Sequence, residues 1–329
     1  MFKFNVSEYL GVLRLIHPYK DFYSFSPFFS ASDTQIYLKR CYKNLDQAEQ
    51  KSYENCYPFI YYLEHAKIYY DQAANSPILI QPILLFYGFV HLIKACLLTK
   101  DPKYPENTTV LAHGVTSRKR KKQQYEFLKD EVKFQKNGLF SCMVEKMFHL
   151  KNKEGDKITM TDLLQQIPEL HPLFSQLEGK STFLDISIQQ QSLSIPEQIL
   201  DYYHMTENRF IDYLQLKSSN MLSYKKSAKN SLLFEQSRKN NPFTIIKYNL
   251  IEDHFCLPIT KSDYIEFPEM VSHYLLLFNL SMIARYETEW WSELIKTMPN
   301  KDYPFIVQFL NTTSKKGPFL AYQYLASQN

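Results

Sequence analysis

Glycine is scarce. The 329-residue chain holds seven, at positions 11, 88, 114, 138, 155, 179 and 317, and no two lie closer than 17 residues. A Rossmann fingerprint, a Walker A loop and a kinase Gly-rich loop need clustered glycines so that backbone N–H groups can approach phosphate closely. A G-x-S-x-G nucleophile elbow fails for the same reason. Cysteine is also sparse: Cys41, Cys56, Cys96, Cys142 and Cys256 form an odd, widely spaced set with no C-x-x-C. That excludes a zinc ribbon, speaks against a disulfide framework, and reads as reduced thiols of a cytoplasmic protein. The opening stretch MFKFNVSEYLGVLRLIHPYK lacks the apolar core and small-residue cleavage site of a signal peptide.

Aromatic rings are abundant, with 25 Tyr and 24 Phe. A buried Tyr hydroxyl needs a partner, so the interior is expected to be stitched by hydrogen bonds. Hydrophobic residues at 45% and charged residues at 22% suit an ordinary globular core. A net charge of +4 is too weak to argue nucleic-acid binding alone. The segment 77–98, PILIQPILLFYGFVHLIKACLL, is long enough to span a bilayer. Gln81, His91 and Lys94 within it favour a buried core helix, because a charge inside lipid is expensive.

Periodicity predicts a short amphipathic element over 1–20 and a helix through 35–50 capped from Ser30. Further helices are predicted over 57–74, 77–98, 160–177, 195–215 (capped by Ser194) and 268–298, the last most apolar over 268–286. Asn137-Gly138 between alternating stretches reads as a hairpin. Strands are expected over 182–193 and as a pair within 244–259, and two short helices, 302–311 and 317–326, close the chain. The fold class is α+β and predominantly helical. It reads as one unit, helical over 1–130, β-containing over 131–260 and helical over 261–329, with the apolar helices of both chain ends sharing a core.

Three places carry candidate chemistry. Tyr87, His91 and Lys94 fall on one stripe of an otherwise apolar helix, beside Gly88, which lets a backbone approach. Such a stripe either faces a ligand or marks the rim of the buried face. His113-Gly114 ends a loop before the basic run Arg118, Lys119, Arg120, Lys121 and Lys122. Planar guanidinium donors suit a phosphate, although a run of cations also solvates a plain surface. In ARYETEWW, Arg285 and Glu289 stand four apart and are expected to pair beside Trp290 and Trp291. No catalytic triad and no metal-ligand set is recognisable.

The stretches LLFYGFVHLIKACLLTKDPKY…LAHG and HYLLLFNLSMIARYETEWW resemble the YaaC-like family of Gram-positive bacteria, and the likeness runs the length of the chain. The resemblance brings no catalytic residues. It implies a link to purine nucleotide supply, since genes of the family often lie beside that of IMP dehydrogenase. A looser resemblance is to HEPN-type helical domains, some of which cut RNA with an Arg followed after four to six residues by His. None of the seven arginines here (14, 40, 118, 120, 209, 238, 285) has His at that spacing.

The sequence thus reads as a non-catalytic cytoplasmic binding or regulatory protein without cofactor or metal. Its expected partner is a phosphorylated purine nucleotide, or a purine enzyme such as IMP dehydrogenase. The expected ligand-binding residues are Tyr87, His91, Lys94, His113, Arg118, Lys119, Arg120 and Arg285. The competing class is a nucleic-acid-directed enzyme or defence factor.

Overall fold

A computed structural model describes residues 17–117, 125–189, 192–218, 222–228, 230–236, 245–259 and 267–328. The fold is α+β and predominantly helical. Ser30 caps α1 (Ala31–Cys41), its side chain accepting from the Asp33 N–H. The chain turns before α2 (Ala48–Ala74), so the helix predicted over 35–50 is split between two elements. The element expected over 1–20 lies almost wholly outside the described residues.

α3 (Gln81–Leu98) is the core helix anticipated from its apolarity. It packs between α2, α9 (Glu269–Tyr286) and α11 (Asp302–Ala326). By length and hydropathy α3 could cross a membrane, yet two-thirds of it (67%) is buried within the protein. α9 is buried at every residue from Glu269 to Ser281, which accounts for its lack of a polar face. A full turn of such helix gains about 1.5–3 kcal/mol for each large apolar side chain taken from water.

Tyr70 of α2 fixes the spacing of the three helices. A methyl group at Gly88 would lie 2.9 Å from its ring, and one at Gly317 of α11 would lie 2.5 Å from its hydroxyl. The two short helices expected over 302–311 and 317–326 are one element, and α11 runs unbroken through Gly317-Pro318. Pro318 removes one hydrogen bond, a cost of about 3 kcal/mol. Packing offsets this, because Phe305, Ile306, Phe309 and Leu310 anchor the first half and Ala321, Tyr324 and Leu325 the second. Tyrosine hydroxyls do stitch the interior: Tyr37 donates to Leu325 O at 2.8 Å, Tyr42 to Leu98 O at 2.5 Å and Tyr274 to His113 O at 2.7 Å.

Two antiparallel sheets lie between the helical ends. The first joins β1 (Val115–Ser117), β2 (Glu131–Phe134) and β3 (Lys157–Thr159). The hairpin expected at Asn137-Gly138 is absent: α4 (Leu139–Cys142) and a π-turn follow Gly138, and consecutive residues 139–144 are all buried. Gly138 serves contact rather than a hairpin turn. It holds φ +129°, and a methyl there would lie 2.4 Å from Gly114 N, itself at φ +78°. The two glycines are packed backbone to backbone.

Pro168 breaks the helix expected over 160–177 into α5 (Met160–Leu164) and α6 (His171–Glu178). The second sheet has the order β6-β7-β5-β4-β9-β8. It comprises β4 (Phe183–Gln189), β5 (Ser192–Pro196), β6 (Leu222–Ala228), β7 (Ser231–Gln236), β8 (Lys247–Asn249) and β9 (His254–Pro258). The pair within 244–259 is present as β8 and β9. Ser194 is not a helix cap; it is buried in β5, paired with Ser187 and Leu233. The helix expected after it is two short ones, α7 (Ile199–Tyr203) and α8 (Glu207–Lys217), parted by left-handed His204. These pack Tyr203, Phe210 and Leu214 on the sheet in a second apolar cluster. α10 (Thr288–Thr297) bridges α9 and α11.

Gly138→Ala is expected to destabilise the protein by on the order of 3 kcal/mol, from the positive φ and the overlap with Gly114 together. Urea denaturation checks this; an unchanged midpoint would mean that the two backbones are not in contact.

Candidate functional site

Five of the sequence-predicted residues come together. Tyr87, His91 and Lys94 form the expected stripe on α3, each half-buried. What approaches Gly88 is not a backbone but the Tyr70 ring and Tyr69 Cβ of α2, the helix whose Tyr62, His65 and Tyr69 face the stripe. Tyr69 stacks on Tyr87 (centroids 6.0 Å) and on His91 (5.7 Å), and His65 lies 5.1 Å from His91. Lys94 Nζ stands 5.7 Å above the Tyr62 ring. His113 reaches the same place from the loop before β1, with its ring 6.4 Å from Tyr87 and 5.0 Å from Phe86. Its backbone is pinned: His113 O accepts from Phe140 N–H at 3.1 Å and from Tyr274 Oη, and Gly114 O accepts from Gln135 N–H at 2.9 Å.

Arg285 closes the cluster from the last turn of α9. Its guanidinium donates to Tyr87 Oη at 3.3 Å and to Ser281 O at 3.0 Å, and it lies 5.9 Å from the Tyr87 ring. The pairing expected with Glu289 does not form, and Glu289 is exposed. The reason is geometric. α9 ends at Tyr286 and Glu287 breaks the helix, so positions 285 and 289 belong to different helices and the four-residue rule does not apply. Trp291 is the aromatic anchor, its Nε1 donating to Leu79 O at 2.9 Å, while Trp290 packs edge-on to Tyr125.

No carboxylate pairs with Lys94, His91, His113 or Arg285 among the described residues, and the charge is felt within the cluster. Burial, then Lys94 and His65, push the His91 imidazole down to about 4. Burial, then Arg285 and Lys94, lower His113, and burial lowers Lys94. His91 Nδ1 is buried without a hydrogen-bond partner among the described residues. Cations crowded among tyrosine rings with no counter-charge can hold an anion, and the ring faces can stack a planar group.

Arg118, Lys119 and Arg120, with the rest of the run to Lys122, lie outside the described residues. The run starts at the residue after Ser117, where β1 ends. Glu126, four residues beyond Lys122, bonds Lys129 at 2.8 Å.

A second polar group escaped the sequence reading. Lys316 is buried on α11 and contacts Glu169 at 2.7 and 2.8 Å, Glu269 at 2.7 Å and Tyr248 O at 2.6 Å. Burial opposes its charge, but the two carboxylates prevail and hold it above the ordinary lysine value. His273 meets Glu269 at 3.4 Å and Thr313 at 2.8 Å. The Glu269–His273 spacing of four was visible in the sequence; Glu169 and Lys316, 147 residues apart, were not.

His91 carries a pH prediction. Its folded value near 4 lies below the unfolded value near 6.5. The unfolded chain therefore binds the extra proton, and stability present above pH 6.5 is lost as pH falls toward 4. In His91→Phe this part of the acid-side decline is expected to shrink, as thermal melts between pH 4 and 7 would show. An identical decline in both proteins would mean that His91 is solvated.

Neither the curated proteins nor the solved structures contain a match to the chain. A family model, the YaaC-like protein family, covers residues 26–325, from the first 3-10 turn through the last helix. That span includes every element that builds the cluster, and the chain is a member of the YaaC-like protein family.

Proposed function

We propose that the protein is a non-catalytic, cytoplasmic binding protein for a phosphorylated purine nucleotide. Lys94, His113 and Arg285 take the phosphate, joined by Arg118, Lys119 and Arg120, and Tyr87 with His91 meets the flat base. The observation that carries the reading is the half-buried set of Lys94, His91, His113 and Arg285 with no carboxylate partner among the described residues. Leaving a guanidinium half-buried without an anion costs free energy that a phosphate would recover. The choice of a purine follows what the family resemblance implies, as does the reading that the protein docks on IMP dehydrogenase, with or in place of nucleotide binding.

Calorimetry with IMP, GMP and AMP tests this. Arg285→Ala and Lys94→Ala are each expected to weaken binding at least tenfold, about 1.4 kcal/mol. Replacing Arg118, Lys119 and Arg120 together with Ser is expected to do the same. Arg285→Ala strands no carboxylate, so its stability loss is expected within about 1 kcal/mol. Nucleotide affinity unchanged by all three variants would remove the assignment.

One observation favours the nucleic-acid reading. Tyr53, Tyr57 and Tyr61 stand 69%, 53% and 53% exposed on one stripe of α2, in steps of four that lead to His65. Exposed rings in a row offer a stacking platform to a single strand. RNA binding with a steep salt slope, reduced by Tyr57→Ala, would place this reading first.

A further inference from the structure

A cavity separate from the cluster lies where the start of α9, the second half of α11 and β8 meet. It is a small recess of about 50 Å³ that opens to solvent at its mouth. Tyr248, Phe319 and Leu320 form apolar wall, and Tyr248 and Phe319 stack with centroids 5.7 Å apart. Lys247, Glu269 and Lys316 supply the charged part of the lining.

These three groups differ in what they have left to offer. Lys316 has spent its protons on Glu169, Glu269 and Tyr248 O. Lys247, only 1% exposed, donates solely to Phe267 O at 3.1 Å among the described residues. Two of its three ammonium protons therefore have no acceptor among the described residues. Glu269 Oε1 receives Lys316 and His273, while Oε2 takes no hydrogen bond among the described residues. The cavity thus sets an unused donor and an unused acceptor in an aromatic chamber.

Charge decides the class of occupant. Two carboxylates, Glu169 and Glu269, balance two ammonium groups, Lys247 and Lys316, so a net anion or cation would be left uncompensated in a buried place. Burial, with Lys316 adding to it, lowers Lys247 to about 8 against the pull of Glu269, so its charge is weakly held and a polar partner is worth more there. We infer that the cavity binds an uncharged planar lactam, a ring carrying N–H beside C=O, the class that includes the oxo-nucleobases. The ring carbonyl accepts from Lys247 Nζ, the ring N–H donates to Glu269 Oε2, and the ring lies against Tyr248 and Phe319. A phosphate-bearing nucleotide is excluded by its charge, so this site is independent of the Arg285 cluster.

Calorimetry on the full chain at pH 7 with uracil and 2-pyridone tests the inference. 2-Methoxypyridine, which lacks the N–H, and benzoate, which adds a charge, serve as controls. Both lactams are expected to bind, and both controls at least tenfold more weakly. Lys247→Met and the cavity-filling Leu320→Trp are each expected to cut lactam affinity at least tenfold, while Arg285→Ala leaves it unchanged. Absence of lactam binding, benzoate binding as tight as the lactams, or lactam affinity retained in Lys247→Met overturns the inference. If Lys247→Met does not fold, Leu320→Trp decides, and affinity retained there overturns it equally.

Discussion

Tyr70 lies in a notch made where two other helices give up a side chain, Gly88 on α3 and Gly317 on α11. Its ring and hydroxyl set how closely α2, α3 and α11 approach, and thereby join the first third of the chain to its last turns. The functional cluster inherits this geometry. With α2 drawn against α3, the neighbouring Tyr69 stacks on Tyr87 and His91, and His65 comes within 5.1 Å of His91. A bulkier residue at position 88 would part the helices that build the site, because close-packed interiors transmit such strain.

The molecule treats buried charge in two opposite ways. At Lys316 every proton is answered by an oxygen, and removing one partner of such a set costs about 3–5 kcal/mol because a buried charge is stranded. That set ties α11 and α9 to the 3-10 turn Pro168–Leu170 and to the edge strand β8 of the larger sheet. At Lys94 and Arg285 the cations lie against rings and a backbone carbonyl, beside the imidazoles of His91 and His113 whose protonation burial disfavours, with no carboxylate partner among the described residues. The first arrangement holds elements together; the second keeps its charge available.

Local sequence signal and structure part company where a residue serves a tertiary purpose. Asn137-Gly138 has the composition of a hairpin turn, yet Gly138 packs against Gly114 and so pins the His113 loop that the site uses. The chain end reads as two helices, 302–311 and 317–326, but the packing of both halves makes α11 one helix that passes through Gly317-Pro318. Arg285 and Glu289 have the spacing of an ion pair and belong to different helices.

The sequence by itself determined the predominantly helical α+β class, the core role of the 77–98 segment and the stripe Tyr87, His91 and Lys94. These follow from periodicity and side-chain character, which act over one or two turns. Only the tertiary structure decided that His113 and Arg285 join that stripe and that Arg285 stands without a carboxylate. It alone set Glu169 against Lys316 across 147 residues and placed Lys247 at a cavity wall. Those relations depend on which helix faces which, and that is fixed by close contacts such as Tyr70 on Gly88 and Gly317, whose partners lie 18 and 247 residues away along the chain.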